Sequence, residues 1–396
     1  MRKGGGIVCS RSTETKEKEI ISVVDDFDCS AQGEKYDAAY KKWRRNKNNP
    51  FTFNFEKNNR ESVYVESRGF DRITLESAES EIIARIMNII GISMLTFIVF
   101  DNVLKKIIIY LLDIMGVNVH TSFAGDMMFG GSREIVATYL AITALTFIIP
   151  SMYLHFKLNL PNRVEFMRSM NDSGEMIASI ALTLAVCSVT CLPTVYSGDT
   201  LEIYTYFSNI NTDVSVWGQH EFIVYTIFDV IVISILTECM LRGAIFHALR
   251  QFGDIFAAVV TAIMAALLAF DVREIPAELM ISIIAGLGML RSGSISTAFV
   301  VRAVYKMYRL ALIIIDSSAA SGVHTPRAEF ILISFLIGAA VYCALLRRRS
   351  KNGKMELTVY SSNVSDVKRL AAALSTFPFS AVAGLCVIIA IIRVIL

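Results

Sequence analysis

From Ile82 to the C-terminus the chain is a succession of apolar runs long enough to cross a bilayer as helices, near 82–101, 135–155, 176–196, 222–249, 255–270, 277–290, 295–315, 329–346 and 376–396. The runs 255–270 and 277–290 meet back to back around Asp271 to Pro276 and are short for independent spans, so they read as core helices of a bundle. Segment 104–116 carries Lys105, Lys106 and Asp113 and stops at Gly116, which predicts an interfacial or re-entrant piece. The expected architecture is all-α: a polytopic transmembrane helical bundle of about 8–9 spans with a polar N-terminal cytoplasmic extension.

Composition agrees with that class. The chain is 54% hydrophobic and only 19% charged, with a mean hydropathy of +0.52, too apolar for an ordinary soluble protein of 396 residues. Residues 1–80 differ from the rest: they hold 29 charged residues, 15 basic and 14 acidic, against 45 in the remaining 316. The division predicted is therefore a charged, partly disordered cytoplasmic region over 1–80 and a transmembrane domain over 81–396. Within the first region Tyr36 to Lys47 predicts a short basic helix, with Trp43 among Lys41, Lys42, Arg44 and Arg45. A solvated tail is favoured for it over a helix resting on an anionic membrane surface.

Loop charges orient the bundle. With the N-terminus inside, the inner connections hold twelve Lys and Arg: Lys157, Arg163, Arg168, Arg250, Arg291, Arg347, Arg348, Arg349, Lys351, Lys354, Lys368 and Arg369. The outer ones hold three, Arg133, Arg273 and Arg327, and 197–221 has none. That bias predicts a cytoplasmic N-terminus. The start, Met1-Arg2-Lys3 followed by glycines, lacks the apolar region of a secretory signal.

Several chemistries are not indicated. A net charge of +2 without a basic stripe argues against a nucleic-acid partner. The seven cysteines are scattered without C-x-x-C or zinc-finger spacing, so no metal and no cofactor is expected. No H-E-x-x-H, G-x-S-x-G or P-loop occurs.

Inside the run 222–248, Glu238 and Arg242 stand four residues apart. Charge at membrane depth normally faces the bundle interior, finds a partner and marks a functional or formerly functional site. The i, i+4 spacing supplies a partner locally. A structural ion pair is favoured about two to one over a direct chemical role. Arg302 and Lys306 are also four apart, and Lys306 with Arg309 reads as snorkelling toward a surface. His247 lies nine residues after Glu238, on the opposite helix face at about 100° per residue.

The stretch Thr237 to Gly253, TECMLRGAIFHALRQFG, resembles the first motif, EExxxR followed by Gly, of the CPBP family of intramembrane proteases, the CAAX prenyl protease and bacteriocin-immunity relatives. The resemblance continues in order: TAIMAALLAF (261–270) stands where the family has its FxxxH helix, ISIIAGLGMLRSGS (281–294) resembles its Gly-containing helix, and GSISTAFVVRAVYK (293–306) occupies the place of HxxxN or HxxxD. It implies a CPBP-like core over about 222–315. In the family the first glutamate of the pair activates water, and the histidines with the Asn or Asp support the transition state. Here that glutamate's position is Thr237, the Phe and His of the second motif fall on Ala265 and Ala269, and the last His and Asn fall on Arg302 and Lys306, leaving Glu238 and Arg242.

Threonine has little basicity near neutral pH and alanine carries no proton, so the resemblance implies a pseudoenzyme with no catalytic residue assigned. The leading class is a non-catalytic binding, regulatory or immunity-type protein whose partners are the lipid bilayer and a peptide or membrane protein. An active glutamic-type intramembrane peptidase using Glu238 is the alternative. A transporter or channel lined by Asp229, Glu238, Arg242 and Arg302 comes last. The family arrangement also implies that Arg302 faces Glu238 across the former catalytic cavity.

Overall fold

The computed structural model describes residues 20–22, 29, 32–44, 46, 49, 54–56, 62–65, 69–72, 75–121, 128–168, 172–191, 219–270, 272, 274–318, 325–352 and 365–395. The loop 197–218 and His324 lie outside them. The described chain is an all-α bundle, with strands confined to three short antiparallel pairs.

The helices in order are α1 (Glu34–Arg44), α2 (Leu75–Val99), α3 (Lys105–Ile114), α4 (Ser132–Leu158), α5 (Asn162–Glu165) and α6 (Ser173–Cys191), then α7 across the span His220–Phe252. They continue with α8 (Asp254–Leu267), α9 (Ile275–Ser292), α10 (Ile295–Ser318), α11 (Thr325–Asn352), α12 (Asp366–Leu374) and α13 (Phe377–Ile395).

Among the described residues six helices are long and apolar enough to cross a membrane, or seven if the pair α12 and α13, bent by 74°, is one broken span. Nine apolar runs thus reduce to fewer candidate spans, for separate reasons. Run 255–270 folds as the short α8. Run 295–315 folds as α10, which has the length but is interrupted by Arg302, Lys306 and Arg309. Segment 104–116 is not a separate re-entrant piece but continues the preceding helix. A π-helical turn at Phe100–Leu104 joins α2 to α3, making one 36-residue span, Glu79–Ile114. At 1.5 Å per residue that helix is about 54 Å long, so its ends reach well past an apolar layer of about 30 Å.

One continuous core runs through α2, α7, α8, α9, α10 and α13, built from residues such as Ile86, Met94, Phe246, Ala257, Ala285 and Val382. Small residues set the closest approaches, as expected where helices pack without a hydrophobic driving force between them. A Cβ on Gly338 of α11 would stand 2.6 Å from the Ala181 carbonyl of α6, and one on Gly91 of α2 would stand 2.7 Å from Pro378 of α13.

The stretch read as a solvated tail contributes a packed helix. Tyr36, Tyr40 and Trp43 recur at helical spacing along α1 and are all buried against the bundle. Tyr40 Oη donates to the His247 carbonyl (3.1 Å) and Trp43 Nε1 to the Leu158 carbonyl (3.1 Å). At the same end Arg250 bridges Asp254 Oδ1 (2.7 Å), Tyr36 Oη (2.9 Å) and Gln32 Oε1 (2.7 Å). Arg369 there joins Glu79 of the first span (2.7 Å) to α12.

Candidate functional site

The long helix α7 is not regular. Its backbone is π-helical over Phe228–Ile233 and again over Cys239–Phe246, with one short α-helical piece, Ser234–Glu238, between them. Such widened turns frequently mark functional sites. Glu238 closes the α-helical piece and is fully buried.

Two guanidinium groups converge on that carboxylate. Arg302 Nε, from α10, donates to Glu238 Oε1 at 2.9 Å. Arg242 lies 3.2 Å from Glu238 Oε2 through its Nε and donates from Nη1 to Oε1 at 3.5 Å. Arg242 also donates from Nη2 to the Ser282 carbonyl and hydroxyl of α9. Arg302 reaches Glu278 of α9 through Nη1, while its buried Nη2 has no hydrogen-bond partner. The contact across helices α7 and α10 is the one that the family arrangement implies.

The remaining cations of α10 do not snorkel. Lys306 Nζ sits 2.8 Å from Asp229 Oδ1 and 3.1 Å from the Asp229 carbonyl, both on α7. Arg309 Nη2 meets Glu274 Oε1 at 2.5 Å, just before α9, and its Nη1 reaches Tyr305 Oη at 3.2 Å. Arg302, Lys306 and Arg309, spaced four and three apart, thus form a ladder of cations along one face of α10. Each rung is an acid from a different place in the bundle. With Arg242 added, four cations face Glu238, Glu278, Asp229 and Glu274, so the cluster carries no net formal charge. This pairing is what lets so polar a helix stay inside the bundle.

Beside the cluster lies a cavity of about 230 Å³. Five of the motif positions line it: Thr237, Ala265, Ala269, Arg302 and Lys306. Glu238 and Arg242 do not; they are buried behind it and touch its wall through Arg302. Neither histidine nor cysteine is among the described residues lining it. Thr237 Oγ1 donates back to the carbonyl of Ile233 on its own helix at 2.7 Å, so its hydroxyl hydrogen is engaged.

Residues 219–308 match the family model described as Rce1-like, type II CAAX prenyl endopeptidase Rce1-like. Over this segment the chain is CAAX-protease-like. The match covers every residue of the charge cluster except Arg309, which lies one residue beyond its end. No curated protein and no solved structure matches the chain. With its membrane-length helices, the chain is a multi-pass membrane protein whose core resembles the CAAX prenyl endopeptidases.

The described histidines lie apart from this cavity. His247 is buried at the α1 end, its Nδ1 2.9 Å from Tyr36 Oη. His155 pairs with Glu165 at 2.7 Å and His120 with Asp113 at 3.0 Å. Burial raises the Glu165 carboxyl above its ordinary range, with the His155 bond opposing.

The sequence reading missed Glu278, Glu274 and the Lys306–Asp229 pair. A signal for the acids existed: Glu274 and Glu278 are four apart at the start of α9, the same spacing as Arg302 and Lys306.

Proposed function

We propose that this CAAX-protease-like protein is non-catalytic and works as a binding, regulatory or immunity-type membrane protein, its N-terminal region facing the cytoplasm. The observation that carries the reading is the state of Glu238. A carboxylate that is to activate water needs a free lone pair and a water beside it. Glu238 is wholly buried, faces two guanidinium groups and does not line the cavity. The motif positions that do line it offer a hydroxyl engaged with its own backbone, two alanine methyls and two paired cations, and none of these is a base that can take a proton from water near neutral pH. The carboxylates in its wall, Asp101, Asp229, Glu274 and Glu278, are each paired with a cation.

The test is direct. Purified protein in detergent or nanodiscs is incubated with a prenylated CAAX-type peptide and with membrane-segment peptides, and products are followed by mass spectrometry. No cleavage is expected, and Glu238→Gln should change nothing. Turnover that Glu238→Gln abolishes would refute the reading in favour of a glutamic-type peptidase.

A further inference from the structure

Helix α9 has two working faces. Ser282, Ala285 and Met289 point into the core and are fully buried, whereas Met280, Ile283 and Leu287 turn toward a slot of about 580 Å³ shared with α6 and α11. That volume lies within the range of about 300–1,000 Å³ usual for small-molecule sites. The slot is separate from the cavity at Thr237: the two share no lining residue.

Its inner wall is tight, since a Cβ on Gly288 would stand 2.5 Å from Ser179 Oγ of α6. Its outer side is open, with Ile177 and Met280 at 47% and 44% exposure. The three helices that form it are all candidate membrane spans, so the open side faces the acyl region. One end of the slot is polar. Arg291 of α9 and Arg348 of α11 stand there with Asp172 and Glu175 from the start of α6. Arg291 Nε is buried without a hydrogen-bond partner.

We propose that this slot binds a glycerophospholipid with an amine headgroup, one acyl chain lying between α6, α9 and α11. Its phosphate sits at Arg291 and Arg348 and its ammonium faces Asp172 and Glu175. An apolar, laterally open slot selects a tail, and arginine pairs well with phosphate. Basic pockets between membrane helices bind lipid headgroups by the same charge match. Two carboxylates beside the arginines would repel a purely anionic headgroup and match an ammonium.

The experiment uses the full chain, purified in detergent and stripped of lipid, with thermal unfolding followed during separate titrations of phosphatidylethanolamine, phosphatidylglycerol, diacylglycerol and inorganic phosphate. Phosphatidylethanolamine should raise the Tm saturably and at lower concentration than phosphatidylglycerol, whereas diacylglycerol and phosphate should leave it unchanged. Arg291→Gln, and separately Arg348→Gln, should raise the half-saturating concentration about ten-fold, the loss of one charge-assisted hydrogen bond. Arg348 is exposed, so its variant keeps the test open if Arg291→Gln fails to fold. Leu287→Trp, which fills the slot, should abolish the effect. An unchanged response in the Arg348 variant, or equal stabilisation by phosphatidylglycerol, diacylglycerol or free phosphate, would overturn the proposal.

Discussion

Replacing Glu238 tests whether the charge cluster is a coupled unit. The carboxylate has no exposure, and its two partners, Arg242 and Arg302, are 0% and 3% exposed, so all three groups depend on one another. Breaking a buried pair by removing one partner commonly costs about 3–5 kcal/mol. Glu238→Gln keeps an acceptor oxygen for Arg302 Nε, and both guanidiniums retain second partners at Ser282 and Glu278, which puts it near the lower end, about 3 kcal/mol. Arg302→Met leaves both Glu238 and Glu278 short of a cation and belongs nearer the upper end, about 5 kcal/mol.

In a double-mutant cycle the second change removes a group whose partner is already gone, so the double variant should lose about 1–3 kcal/mol less than the sum of the singles. Thr237→Ala is the internal control. It removes only a bond to its own helix and should cost about 1 kcal/mol or less. The assay is equilibrium denaturation in detergent micelles, with all four corners of the cycle measured at one salt concentration. A coupling below about 0.5 kcal/mol, the level at which independent sites add, would show that Glu238 and Arg302 do not meet.

Two further outcomes concern α1. Tyr36→Phe deletes a hydroxyl held 2.9 Å from both His247 Nδ1 and Arg250 Nη1, so it should cost about 1–3 kcal/mol and speed proteolysis around α1; an unchanged digestion pattern would mean that the helix is not docked through this contact. Burial pushes the Cys29 thiol up to about 12 against the opposing influence of Arg250, so at pH 8 only about one molecule in ten thousand carries the thiolate. Cys29 should therefore resist maleimide, as read by peptide mapping, until Tyr36→Ala loosens α1, and rapid labelling of the native protein would contradict its burial.

The helical class was legible because every apolar run is long, and the Glu238–Arg242 pair because i, i+4 partners lie on one helix. The Arg302 contact came from the order of the motifs. What stayed hidden depends on partners far apart in sequence. Lys306 looks like a snorkelling residue until Asp229, 77 positions away, is seen beneath it. The docking of α1 left a trace, the stripe Tyr36, Tyr40 and Trp43, but the surrounding charge of residues 1–80 outweighed it. The π-helical turns left none.

Those turns give α7 a particular gearing. A stretch with i→i+5 bonds holds an extra residue relative to an α-helix of the same turns, and Cys239–Phe246 lies between Glu238 on one side and His247 and Arg250 on the other. Converting that stretch to regular α geometry with every residue kept would wind in the extra one and swing everything beyond it by about 100°. Arg250 would then leave Tyr36 and Gln32 while Glu238 kept both arginines. The widened turn is thus a phase adjuster. It lets one rod satisfy two unrelated sets of partners at once.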